Sequence, residues 1–407
     1  MNDTGSVKTT DQGSVITVFL TFLGLGLTSF GGPVAHLGYF RDEFVVRRKW
    51  LDERAYADLV ALCQFLPGPA SSQVGIAVGL SRAGLPGAVA AWIAFTAPSA
   101  IALILFGYGV VAFGDEVGLG ALHGLKVVAV AVVAQAIWGM AQKLCPDAKR
   151  ASLAVLATIG VLAVPSPFVQ VGAIVVGGIV GWALLRAAAP ADHVDLGVRL
   201  PRFISITALL LFFAGLIGLP LLEMAYPFQT MALVDAFYRS GSLVFGGGHV
   251  VMPLLQAEVV PSGWVSKDAF LAGYGAAQAV PGPLFTFAAF LGTVMTGAPT
   301  GVIGGLICLL AIFASSFLLV IGVLPYWDAL RRIGGVRNAL QGVNAVVVGL
   351  LLAALYDPIW TGAILSASDF GLALAAFILL VFWKTPAWLV VILTGLGGWA
   401  LHTGVIL

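Results

Sequence analysis

Two stretches of this chain interrupt an apolar helix with the same three residues. In Gln64-Phe65-Leu66-Pro67-Gly68-Pro69, Pro67 denies its predecessor an α conformation, Gly68 can cap, and Pro69 suits the first turn of a new helix. The helix should stop and restart there. The restart leaves the N–H groups of Ala70, Ser71 and Ser72 without intrahelical partners, at the positive end of the helix dipole. Such a terminus suits an anion, and Ser71, Ser72 and Gln73 add hydrogen-bond donors without a fixed charge. Gln278 with Pro281-Gly282-Pro283, followed by Leu284, Phe285 and Thr286, repeats the arrangement. A second kind of break, Phe30-Gly31-Gly32-Pro33 and Phe245-Gly246-Gly247-Gly248, lets backbone approach closely and exposes further donors. The alternative for the polar residues is helix-to-helix hydrogen bonding, and for the breaks it is kinks that only let helices pack.

The titratable residues near these breaks have two readings each. His36 and His249 follow the glycine breaks at non-equivalent positions, and either titrates near neutral pH or simply hydrogen-bonds a carbonyl. Glu43 and Glu258 align and are candidates for proton coupling; the favoured alternative is ordinary solvated carboxylates at an interface. Arg239 lies four residues after Asp235 in an apolar run, where charge is costly unless paired or facing water. A local ion pair there competes with a counter-charge for substrate. Lys126 is a further candidate for coupling or for charge at the site; the alternative is that, near the end of a crossing, it snorkels to the interface. Asp52 and Ser266 are read as N-caps of the helices that follow them. Enzyme signatures are absent: there is no GxSxG, HExxH, Walker A loop or GxGxxG after a strand pattern. Cys63, Cys145 and Cys308 are too far apart for a metal pair or a disulfide framework, so neither metal nor cofactor is expected. Energy would come from a gradient, not from ATP hydrolysed by this chain.

The elements that must hold these residues are membrane helices. The 407 residues are 60% apolar and 10% charged, where a soluble domain carries about a quarter charged, and mean hydropathy is +1.02. The fold class is an all-α polytopic membrane protein. Net charge is +1, with no basic block to attract nucleic acid. The polar first 13 residues lead into an apolar run without a signal-peptide cleavage pattern, so the N-terminus is expected to stay on the mature chain. Crossings are predicted near 86–112, 121–142, 151–164, 167–186 and 203–222. Segments of about 14 residues are short for a 30 Å core, so the boundaries around Pro165 and Pro167 stay open.

The chain also repeats itself. Trp50, Gln64, Pro67, Gly68 and Pro69 recur 214 residues later as Trp264, Gln278, Pro281, Gly282 and Pro283. Upstream the offset is 215, pairing the Phe-Gly-Gly breaks and Glu43 with Glu258; downstream it is 218, pairing Leu122, Gly124 and Val130 with Leu340, Gly342 and Val348. A constant offset across Trp, Gln and Pro-Gly-Pro indicates duplication. Residues 1–190 and 223–407 form the two repeats, and 191–222 form a linker with one inverting transmembrane helix. Charge sets their orientation. The loop with Arg41, Arg47, Arg48, Lys49 and Arg54 corresponds to one with Lys267 alone, Asp115 and Glu116 correspond to the region of Arg331, Arg332 and Arg337, and Lys143, Lys149 and Arg150 correspond to a segment with only Asp357 and Asp369. The repeats are therefore inverted, with the N-terminus inside and the C-terminus outside. Broken or re-entrant helices at corresponding places in inverted halves point to a transporter's substrate site, and the two Pro-Gly-Pro restarts are expected to face each other near the midplane. A passive anion channel and a membrane-embedded scaffold are the competing classes.

Phe30-Gly31-Gly32-Pro33 with His36, Trp50-Leu51, and Gln64 with Pro67-Gly68-Pro69 and Gln73 resemble the chromate ion transporter family in its long, two-domain form. The second half matches through Phe245-Gly246-Gly247-Gly248-His249, Trp264 and Gln278 with Pro281-Gly282-Pro283. The resemblance implies a multi-pass carrier of the bacterial inner membrane that exports chromate, confers chromate resistance and is driven by the proton-motive force. Its partners would be chromate, the competing oxyanion sulfate, the lipid bilayer and, in a homodimer, a second copy of the chain. Gly248 where the first half has Pro33, and Phe287 opposite Gln73, depart from internal symmetry. The polar first-half break is therefore expected to be the better substrate binder.

Overall fold

The computed structural model describes residues 13–113, 119–164, 166–186 and 200–403. Asp115, Glu116, Pro165, residues 1–12 of the polar N-terminal stretch and the expected boundary at 190 lie outside the described residues. The first half contributes α1 (Val15–Thr28), α2 (Gly32–Arg41), α3 (Glu53–Phe65), α4 (Ala70–Phe113), α5 (Leu119–Leu144), α6 (Ala148–Ala163) and α7 (Pro167–Leu184). A helix outside the repeat, α8 (Arg202–Ala225), follows and packs on α9 and α13. The second half contributes α9 (Gln229–Ser242), α10 (Val251–Val259), α11 (Lys267–Ala277), α12 (Phe287–Val294), α13 (Gly301–Val323), the short α14 (Trp327–Arg332), α15 (Gly334–Ala354), the single turn α16 (Thr361–Ala363), α17 (Ala367–Val381) and α18 (Ala387–His402). Among the described residues there is no strand, and six helices are long and apolar enough to cross a membrane. The protein is a multi-pass membrane protein.

Each half opens with two short helical hairpins. In the first, α1 turns at the glycine break into α2, and Phe22 closes the hairpin against Phe40 and Phe44 with ring centroids 5.8 and 5.1 Å apart. The second hairpin is α3 and the start of α4, joined through Pro-Gly-Pro. Asp52 caps α3 by accepting from the Ala55 N–H at 2.8 Å, and Ser266 caps α11 from Ala269 at 3.2 Å, as the sequence predicts. α4 then doubles back at Ala83-Gly84, where the backbone leaves the helical region, laying Gly79 on the Gly87 carbonyl. α12 and α13 meet in the same way through Gly292 and Gly304.

The halves interlock through their long helices. α5 packs on α18 and α7 on α15. Gly124 lies on the Thr394 carbonyl, and its repeat equivalent Gly342 lies on the Gly177 carbonyl. Apolar helices gain little from association in a hydrocarbon surround except by close packing, and small residues at the crossing permit it. α8 stands outside this scheme: Phe203, Leu210, Ile217 and Leu221 are each at least 60% exposed, a surface suited to lipid. With no counterpart in either half, α8 separates two inverted-topology repeats.

The basic clusters collect at one end. Arg331 reaches Asp58 of α3 at 3.3 Å, and Trp327 donates its Nε1–H to the same carboxylate. Lys149 and Arg150 share a cleft with Asn338. Asp147 in the α5–α6 connection caps α6, and the Arg150 N–H and guanidinium hold its carboxyl below the usual carboxylate range. The opposite end carries cross-repeat ties: Lys126 to Asp268 at 2.9 Å and His123 to Asp369 at 2.7 Å, with Lys267 to Asp357 at 3.4 Å within the second half.

Candidate functional site

The glycine breaks, not the Pro-Gly-Pro breaks, meet at the centre. Pro33 and Gly248 are repeat equivalents, and a Cβ on Gly248 would stand 3.1 Å from Pro33 Cγ, so the pseudo-twofold axis passes between them. Each Pro-Gly-Pro instead docks on the other repeat's glycine break. The Gly68 N–H donates to the Val244 carbonyl at 2.7 Å, and the Gly282 N–H donates to the Ser29 carbonyl at 2.9 Å. Both glycines are left-handed, with φ of 125° and 103°, a region other residues rarely enter. A Cβ on Gly68 would sit 2.9 Å from Ser316 Oγ, and one on Gly282 2.8 Å from Ser99 Oγ.

The restarts differ between repeats for a local reason. In the first, Gln73 Nε2 reaches back to the Pro67 carbonyl at 2.7 Å and α4 begins directly as α-helix. In the second, Phe287 replaces Gln73, Thr286 Oγ1 donates to the Pro283 carbonyl at 2.7 Å, and the restart passes through a 3₁₀ turn. Likewise Pro33 lies in the first turn of α2, where its fixed φ suits the helix, whereas the all-glycine second break enters α10 through a 3₁₀ turn at Gly248–Val250.

Two cavities flank the axis. The larger, about 490 Å³, runs from the glycine breaks to the basic end. Gly31, Pro33, Gln64 and Gly68 of the first half and Gly246, Gly247, Gly248 and His249 of the second line it. The smaller, about 50 Å³, is lined by Gly31, Gly32, His249, Gln278 and Gly282. Gln64 and Gly68 in one match Gln278 and Gly282 in the other, so the two are counterparts under the inverted symmetry. Among the described residues, the N–H groups of Gly31, Gly246 and Gly247 donate to no backbone acceptor. The larger cavity thus presents backbone and amide donors and little charge, which suits a tetrahedral oxyanion.

Several residues expected at the site do not line either cavity. The lining includes none of His36, Pro67, Pro69, Ser71, Ser72, Gln73, Pro281, Pro283 and Thr286. His36 Nδ1 pairs with Ser71 Oγ at 3.3 Å and its ring stands edge-on to Phe95. Ser72 Oγ is buried without a partner. The four charged candidates are ion-paired away from the cavities. Glu43 is not solvated but buried between Arg47 and Arg48, at 2.9 and 2.5 Å. Arg239 pairs with Asp235 as expected, at 2.6 Å, and also with Glu258 at 2.7 Å; Lys126 holds Asp268. Conversely, Gln135, Lys143 and Asn344 line the larger cavity, and Ser99 and Ser316 back the glycines. The serines share an offset of 217, a detectable signal; the lone amides and Lys143 carry none that reveals which way they face.

The chromate transporter family sequence model matches residues 16–182 and 231–399, once for each half and leaving α8 between the matches. The chain belongs to the chromate transporter family. It is 27% identical over 395 residues to a chromate transport protein of Pseudomonas aeruginosa, covering 94% of this chain and 91% of that one. A chromate transport protein of Cupriavidus metallidurans is 24% identical, covering 86% and 84%. An uncharacterised transporter of Methanocaldococcus jannaschii is 27% identical, covering 84% and 83%. The chromate transporter family is one of membrane transporters, not of enzymes, and both family matches fall on repeats that carry the paired breaks.

Proposed function

We propose that the chain is a secondary carrier of the cytoplasmic membrane that exports chromate by alternating access between its inverted repeats, coupled to the proton-motive force. The observation that carries this reading is the unequal pair of cavities, about 490 and 50 Å³, lined by equivalent residues. In an inverted-repeat carrier, exchanging the conformations of the repeats closes one cavity and opens the other. The basic end, with Arg41, Arg48, Lys149 and Arg331, is the cytoplasmic one by the excess of Lys and Arg there, so the open cavity faces the compartment to be drained. Proton coupling is assigned to the second-half triad, where Asp235 and Glu258 share the single cation Arg239 and leave one negative charge over. A neutral, donor-rich lining serves sulfate as well as chromate, so sulfate is the natural competitor.

The test is chromate flux in proteoliposomes, with and without an imposed pH gradient and with sulfate competing. Concentrative, gradient-dependent chromate movement is expected. Current without coupling would mean a channel; no movement by well-folded protein under either gradient orientation would end the chromate assignment.

A further inference from the structure

Among the described residues, Lys143 is the one Lys, Arg, Asp or Glu lining the larger cavity. It sits in the last turn of α5, on the cytoplasmic side of the glycine breaks, and its side chain is exposed. Among the described residues it has no acidic partner, whereas its neighbour Arg150 is taken up by Asp147 at 2.6 Å. The rest of the polar lining is Gln64, Gln135, Asn344, His249 and the glycine N–H groups.

Charge balance gives this lysine a role. The breaks aim the starts of α2 and α10 at the cavity, and each helix start is equivalent to roughly half a positive charge. With the start of α4, whose Gly68 and Ala70 also line the cavity, three starts supply at most about one and a half charges against the two of a dianion such as chromate or sulfate. The remaining positive charge must come from a side chain, and Lys143 can supply it. The inverted symmetry provides none on the other side: the positions corresponding to Lys143, at offsets of 217 to 219, are Trp360, Thr361 and Gly362. The nearby Lys267 bonds both Thr361 and Asp357, so its charge is already matched.

We infer that Lys143 is a positioning and specificity residue that completes the charge of a divalent tetrahedral oxyanion only while the cavity is open to the cytoplasmic end, making the site tight on that side and weak on the other. This rests on the oxyanion reading above. The competing role is local: a lysine at a helix C-terminus offsets the dipole and supports the fold.

The experiment titrates purified full-length wild type, Lys143→Gln and Lys143→Arg with chromate, sulfate and the monovalent perchlorate, reading anion-dependent thermal stabilisation, and then measures sided flux in proteoliposomes. Expected is an approximately tenfold loss of dianion affinity in Lys143→Gln, the magnitude of one charged hydrogen bond. Perchlorate affinity should be nearly unchanged and Lys143→Arg close to wild type. Half-saturation should rise for chromate presented at the cytoplasmic end and not at the other. A melting temperature lowered equally with and without anion, with dianion affinity intact, would assign Lys143 to the fold and overturn the inference. Equal losses in the Gln and Arg variants would overturn it as well. If wild type itself neither binds nor moves any dianion, the oxyanion reading falls first and this inference with it.

Discussion

Gly68 and Gly282 combine left-handed backbone, a hydrogen bond to the opposite repeat and a serine where a Cβ would go. Gly282→Ala should therefore lose about 1–3 kcal/mol and lower the melting temperature in detergent. Gly24→Ala in α1, where a Cβ meets nothing within 4 Å, should be nearly neutral, so equal effects would remove the special role of the break. Among polar side chains, Gln64→Ala and Asn344→Ala should raise the half-saturation for chromate several-fold, by about 1 kcal/mol per lost hydrogen bond. Ser72→Ala, which removes a buried hydroxyl without a partner, should leave flux near wild type. The Pro-Gly-Pro motif was legible because its effect is local backbone chemistry. Ser71, Ser72 and Gln73, read as candidate substrate ligands, do not line either cavity, because adjacency to a helix start does not say which way side chains turn. Here Ser71 turns to His36 and Gln73 to the Pro67 carbonyl. Gln135 and Asn344 went unnoticed because a single amide in an apolar helix does not reveal which neighbour it will face.

The hairpins are the elements whose positions distinguish the two cavities. α11 is packed against α5 and tied there by Lys126 and Asp268, while its counterpart α3 stands away from α15, leaving Gln64 exposed and Gln278 half-buried. In a variant lacking the native cysteines, Gln64→Cys should react with a membrane-impermeant thiol reagent from the basic end at least tenfold faster than Gln278→Cys does from the other, an estimate that follows from burial. Comparable rates would contradict the unequal cavities. Glu258→Gln, which leaves Arg239 matched by Asp235 alone, should abolish the dependence of chromate flux on the pH gradient while sparing downhill exchange. Flux that still follows the gradient would place coupling elsewhere. The long helices were legible from apolar runs, and the predicted crossing at 86–112 falls within α4. The 3₁₀ starts of the second half were not, because they depend on what Pro33 and Gln73 do for the first half and Gly248 and Phe287 do not.

At the scale of the whole molecule, duplication and inversion were readable from a constant offset and from charge, because both are properties of sequence order. The interlocking was not: nothing in the order says that α5 seats on α18 and α7 on α15. Since each half's long helices find their close-packed partners in the other, residues 1–190 expressed alone should be degraded, and co-expression with 191–407 should restore protein and flux; a stable, monodisperse half would show that the repeats fold independently. One asymmetry of that packing bears on timing. Gly275 lets α11 lie directly on the Leu125 carbonyl, but the matching pair on the open side is Ala61 and Val343, with Ala61 exposed. Under the proposed alternating access, the mirrored closure would fit a methyl group where this one fits none, and the two shut forms should differ in energy and therefore in lifetime. The empty molecule should dwell open to the cytoplasm, waiting where its cargo accumulates, and visit the other posture briefly. Turnover is then set by how rarely the crowded form is reached, and Ala61→Gly, by evening the two dwell times, should trade occupancy of the waiting posture for speed.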